Sequence, residues 1–314
     1  MIRLRRRSTI ALTTTVAVAA GLLVGAVPAN AATSHHSTFH FKYQIIDGFE
    51  KRTLIRGSGS GGDTLTNAYR WASWGTTHSP KPTVTLQRKV HAKWITQKSV
   101  KVTYGGHYTV SAKLPAFRVS AGVAKQKVLY RFASVKSARK HITNSDHSRA
   151  YGITYENQAM YSGFQAQMYG YLQQYCASVA LHIDASVGQR DHAGEFAWSR
   201  GVAIDPSIAN YPVESLQGVA LHECAHAHQF YNFGASYAGT VKAQKASAAI
   251  FVNDPNPDSA APPSPVVGGF DAFEHAADCA SHSVQPAGYL GYGGYCNPGE
   301  LDAGNRLLTT GSRY

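Results

Sequence analysis

The chain has 314 residues, with 30 Lys and Arg against 18 Asp and Glu. That length is enough for two modules, each with its own core. The charge divides accordingly: residues 32–150 hold 20 basic and 4 acidic side chains, net +16, and residues 151–314 hold 6 and 14, net −8. Such asymmetry points to two modules with different partners. Beyond the N-terminal segment, no stretch is apolar for long enough to span a bilayer.

Residues 1–31 read as a secretory signal peptide. Arg3, Arg5, Arg6 and Arg7 make a basic start, an apolar run extends from Ile10 to Val27, and Ala29-Asn30-Ala31 matches a small-x-small cleavage site. A single membrane anchor is the rival reading, and the Thr, Ala and Gly content of the run argues against it. The mature chain is then secreted, and its four cysteines, an even number, imply two disulfides. Residues 32–41, with His35, His36 and His40, read as a flexible N-terminus.

Residues 42–135 alternate apolar and polar side chains. PTVTLQRKV (82–90), AKWITQKSVKVTY (92–104) and HYTVSAKL (107–114) are strand-like, Gly105-Gly106 suits a hairpin turn, and AFRVSAG and QKVLYRF continue the pattern. GSGSGG (57–62) reads as a loop. The expected architecture is a small antiparallel β-sandwich. The polar run 136–150 reads as a linker.

Residues 151–314 mix elements. Helices are expected over 155–176, 215–234, 271–283 and 297–308, the last with Asn297 as cap and Pro298 in first position. Strands are expected at SVALHID (178–184) and FAWSRGVAID (196–205). A long proline-bearing loop is expected between the second and third helices.

The chemistry concentrates in LHECAHAHQF (221–230). On a helix, His222 and His226 lie on one face, one turn apart, and both can direct a ring nitrogen at one ion. Glu223, beside the first histidine, is positioned to act as general base toward a zinc-bound water. The longer H-E-x-x-H-x-x-G-x-x-H form fails, because Gln229 and Asn232 occupy its last two positions. A third ligand must therefore come from elsewhere. Glu274 in FEHAADC fits, with Asp271, His275 and His282 as rivals, and Asp278 shares its helical face and can orient a ligand histidine. His228 points away from His226 and reads as a non-ligand. Tyr231, Tyr237 and His282 are candidates to stabilise a transition state.

Cys224 lies about 200° around the helix from His222, and Cys279 lies off the face that carries Glu274. A Cys224–Cys279 bond behind the metal is therefore expected, leaving Cys176–Cys296.

Two resemblances add to this reading. The run VTLQRK…KW…VTYGGHYTVSA…AFRVSAG resembles the Ig-like β-domains of secreted bacterial proteins, over roughly 55 residues. LHECAHAHQF with FEHAADCAS resembles the gluzincin group of zinc metallopeptidases, most of all the bacterial neutral zinc metallopeptidase type. That likeness implies an α+β zincin-like catalytic domain over 151–314, Zn²⁺ on His222, His226 and Glu274, Glu223 as base, Asp278 behind the ligands, and a peptide or protein substrate. A zinc amidase acting on peptidoglycan cross-links would share this chemistry. The alternative is a cell-surface protein whose basic β-domain binds an anionic cell-wall polymer, with a non-catalytic zincin-like domain. Nucleic acid is a weaker partner, because no recognition motif for it is present.

Overall fold

A computed structural model describes residues 39–46, 53–71, 83–104, 108–136, 145–251, 269–285 and 296–314. The signal segment, His35, His36, Gly105-Gly106 and the prolines between 255 and 265 lie outside the described residues.

Strands β1 (Phe39–Ile46), β3 (Thr64–Trp71), β7 (Tyr108–Lys113) and β6 (Val102–Tyr104) pair antiparallel in that order. A second sheet runs β2 (Thr53–Gly57), β10 (Tyr151–Glu156), β8 (Lys125–Ser134), β4 (Val84–Val90) and β5 (Lys93–Val100), with β9 (Asp146–His147) paired to β8. The period-two pattern is the cause: Val128, Tyr130 and Phe132 of β8 and Tyr151, Ile153 and Tyr155 of β10 turn inward. They meet Leu65, Val110 and Ala112 of the other sheet in one core. The expected 92–104 strand divides, because β5 stays in the second sheet and β6 crosses to the first. AFRVSAG forms no strand. It lies along the glycine-rich loop, where Gly59 N–H donates to the Phe117 carbonyl at 2.8 Å.

The charge boundary near residue 150 is not a boundary of pairing. β10 pairs parallel with β2 and antiparallel with β8, and β9 lies within the expected linker. Residues 36–314 form one compact unit. Arg56 ties its parts together: its guanidinium is buried, forks onto Asp63 and donates to the Trp198 carbonyl at 2.7 Å. Beside it, Ile55 N–H donates to the Ser199 carbonyl at 2.8 Å.

The rest is α+β. The expected 196–205 strand divides into β12 (Gly194–Ala197) and β13 (Gly201–Ile204), which with β11 (Leu181–Ile183) make a sheet in the order β11-β13-β12. Around it stand α1 (Gly163–Cys176), α2 (Val213–Asn232), α3 (Tyr237–Ile250), α4 (Gly269–Val284) and α5 (Pro298–Thr310). The expected 155–176 helix starts late, because 151–156 is drawn into the sandwich as β10. α3 occupies a stretch expected to be loop. Its KAQKASAA run consists of good helix formers, and Ser236 caps it by accepting from Gly239 N–H. α5 begins as expected, with a full capping box between Asn297 and Glu300.

α2 and α4 meet through small side chains: Ala220, Ala225, Ala277 and Ala280 are all buried in the same cluster. The cysteine pairing differs from the expected one. Cys176 bonds Cys224, and Cys279 bonds Cys296. Cys224 and Cys279 do lie behind the faces that bear the histidines and the glutamate, but those faces oppose each other. Each sulfur therefore reaches away from the α2–α4 contact, Cys224 to the end of α1 and Cys279 to the residue preceding the α5 cap. Two disulfides fit an oxidising, extracellular setting. Among the described residues no helix is long and apolar enough to cross a membrane.

Candidate metal centre

The i, i+4 spacing on α2 brings His222 and His226 side by side, and α4 lays Glu274 across them. His222 Nε2 and His226 Nε2 are 3.0 Å apart, and Glu274 Oε2 stands 3.2 Å from the first and 3.0 Å from the second. Donors on a tetrahedral zinc with bonds of about 2.0–2.1 Å would be roughly 3.3 Å apart. The three atoms thus form a triangle of nearly the right size, buried at the α2–α4 contact.

The surrounding contacts fix which atoms of the triangle carry protons. His222 Nδ1 is 2.8 Å from Asp278 Oδ1, and that carboxylate can only accept. Nδ1 therefore holds a hydrogen, and in the neutral imidazole the Nε2 lone pair faces the triangle. His226 Nδ1 is 2.6 Å from Gln229 Oε1. The Gln229 amide nitrogen donates to the Phe273 carbonyl at 2.9 Å and the Tyr314 hydroxyl at 2.6 Å, so its oxygen is the atom turned to His226. His226 is held in the same tautomer. Two imidazole lone pairs and a carboxylate oxygen then converge on one point, an arrangement that only a cation or protons can stabilise. The residues fit a divalent metal with N and O preference.

Titration reflects that convergence. Burial draws the His222 imidazole down, but Asp278 and Glu274 more than offset it and hold it well above its usual range. His226 is raised in the same way, burial being outweighed by Glu274. Glu274 is pushed far below the ordinary carboxylate range, because the two imidazoles overcome the effect of its burial.

Glu223 lies beside the triangle. Burial raises its carboxyl, while the two imidazoles and a hydrogen bond from Phe196 N–H pull it back. Phe196 belongs to β12, the edge of its sheet. Gly194 of the same strand gives Glu223 its room: a Cβ there would stand 2.9 Å from Glu223 Cγ.

Among the described residues, no other expected residue joins the triangle. His275 turns to Glu300, 3.5 Å away, and packs edge-on to Phe251. His228 reaches the Tyr175 carbonyl at 3.1 Å, away from the triangle as expected. The Asp271 side chain lies outside the described residues. Tyr231 leans on Phe196 of the edge strand, with ring centroids 6.3 Å apart. Tyr237 is 71% exposed at the start of α3. His282 sits in the last turn of α4, and its buried Nδ1 has no hydrogen-bond partner among the described residues. The cysteine-bearing groups Cys176–Cys224–His228 and His275–Cys279–Cys296 offer no thiolate, since their sulfurs are bonded to each other. Sequence reasoning missed Gln229, Tyr314 and the Phe196 N–H. Only Gln229 left a trace, as the residue that breaks the longer motif.

No known protein-family model matches this chain, and comparison with characterised proteins finds no significant sequence match.

Proposed function

We propose that the protein is a secreted zinc metallopeptidase of gluzincin type, with a zincin-like catalytic part and an Ig-like β-sandwich before it. The observation that carries this reading is the convergence of His222 Nε2, His226 Nε2 and Glu274 Oε2 within 3.0–3.2 Å of one another, with both Nδ1 atoms turned outward to hydrogen-bond acceptors. A zinc ion held there would polarise a carbonyl oxygen and lower the pKa of a water molecule to about 7.

The remaining work falls to the chain's own residues. Glu223 is buried beside the donors with a raised pKa, so it can take a proton from the attacking water and return it to the leaving amine. The Phe196 N–H fixes its carboxylate. Asp278 and Gln229 hold the two imidazoles in one tautomer and one orientation. Among the described residues β12 pairs only with β13, and its other edge is suited to an extended peptide laid along it by main-chain hydrogen bonds. Tyr231, against Phe196 on that strand, is the best placed of the expected transition-state helpers.

Glu223→Gln is the deciding variant. It should keep one zinc per chain and lose at least about 10²-fold in peptide turnover, the usual scale for a general base. Turnover at the wild-type rate with the metal retained would refute the assignment. Loss of both metal and turnover would leave Glu223 a structural residue.

A further inference from the structure

We propose that the outer face of the second sheet, centred on Trp94 and Arg131, binds an acidic polysaccharide whose sugar rings carry carboxylates. This site is separate from the metal centre and does not depend on it.

The charge of this part of the chain is one-sided to an unusual degree. Between Asp63 and Asp146 lie 82 residues with 15 Lys and Arg and no Asp or Glu. The strand register gathers several of these cations on one surface. Val128, Tyr130 and Phe132 of β8 face the core, so Lys127, Leu129 and Arg131 face outward. Arg131 stands opposite Gln87 of β4, which stands opposite Thr96 of β5, and Lys89 stands opposite Trp94. Lys89 and Lys127 are exposed and make no ion pair among the described residues. β5 forms the edge of the sheet opposite β2, the strand that ties the sandwich to residues 198 and 199.

Lysines that merely solvate a sheet need no fixed geometry, but Arg131 has one. Its guanidinium carbon lies 4.2 Å from the centroid of the Trp94 ring, and its Nε donates to Gln87 Oε1 at 2.9 Å. Its Nη1 and Nη2 have no partner among the described residues. Two contacts therefore hold a planar fork whose outer edge is free, and that edge matches a carboxylate in bidentate fashion. The indole beside it offers an apolar plane for a sugar ring, while Gln87 and Thr96 offer neutral hydrogen-bonding groups. A linear polyol phosphate would satisfy the charge but leave the indole without a ring to cover, which favours a uronate-bearing chain.

The test uses the full mature protein and polygalacturonate, with dextran, polyphosphate and single-stranded DNA as comparison probes, at about 0.15 M salt, where isolated surface charges are largely screened. Polygalacturonate should bind and dextran should not. Arg131→Lys keeps the charge and loses the fork, and it should weaken binding about tenfold. Trp94→Ala should do the same, and Lys113→Gln, away from the face, should change it less than about twofold. Circular dichroism checks that each variant is folded, and the conservative Arg131→Lys decides the matter if Trp94→Ala is not. Absence of polygalacturonate binding overturns the proposal. So does wild-type affinity in Arg131→Lys, which would reduce the face to non-specific charge. Tighter binding of polyphosphate or DNA, with the same dependence on Arg131, overturns the choice of ligand and assigns the face to phosphate polymers.

Discussion

Gln229 decides where the His226 proton lies. Its two amide hydrogens are committed to the Phe273 carbonyl and the Tyr314 hydroxyl. The Tyr314 hydroxyl oxygen accepts from Gln229 and from Ser247 Oγ at 2.9 Å, and Ser247 Oγ also lies 2.9 Å from the Ala243 carbonyl. Burial pushes the Tyr314 hydroxyl up to about 12, so it stays a neutral phenol throughout the neutral range. Gln229→Ala should therefore weaken zinc binding by about 10–100-fold, the usual scale for an outer partner of a ligand histidine. Tyr314→Phe removes both hydrogen bonds of this hydroxyl, and loss of the one from Gln229, worth about 1 kcal/mol, should weaken binding about fivefold by letting the amide turn. Chelator competition on the folded protein measures both. Unchanged affinity in both variants would sever this relay from the metal site.

The disulfides brace the two ligand-bearing helices from behind. Cys224 lies between His222 and His226 on α2, and Cys279 follows Asp278 on α4, so each bond holds a ligand helix to a neighbour. Their sequence separations are 48 and 17. Loop-closure entropy then gives about 4 kcal/mol for Cys176–Cys224 and about 3 kcal/mol for Cys279–Cys296. Replacing either pair by alanine should lower the unfolding free energy by that order in a urea titration, with the larger loss for Cys176–Cys224. The reverse ranking would count against the entropic account. These elements also mark the limits of legibility. Helices α2 and α4 and the α5 cap could be read from sequence because i, i+4 spacing, the Glu274–Asp278 face and Asn297-Pro298 are local signals. The cysteine pairing could not, since it depends on which helix lies behind α2 and which behind α4. α3 was missed because its alanine-rich run has little apolar periodicity, and β10 because sheet pairing does not follow the charge boundary that seemed to divide the chain. Gln229 was read only as a departure from a motif, although its partner Tyr314 lies 85 residues away.

At the scale of the whole molecule the proposed metal centre links folding to pH, and the sign depends on whether metal is bound. In metal-free protein His222 and His226 have pKa values raised above 6.5, the carboxylates of Asp278 and Glu274 prevailing over burial. A group raised on folding stabilises fully below its unfolded pKa, and that contribution is lost as pH climbs through the raised value. Glu223 is raised from 4.5, chiefly by burial, and acts in the same sense. Glu274 is depressed from 4.5, so its contribution is present above that value and is lost only as the solution becomes strongly acid. Metal-free protein should therefore lose stability as the pH rises above 6.5 and the histidines give up their protons. A zinc ion at the proposed site would need those same nitrogens unprotonated, so its binding should release protons and tighten as the pH rises. The melting temperature of chelator-stripped protein should fall as the pH is raised above 6.5, while the increment on adding one equivalent of zinc should grow. The two trends have one cause, the competition of proton and metal for the Nε2 atoms of His222 and His226. An increment that shrank with rising pH would mean that zinc binds somewhere other than His222, His226 and Glu274.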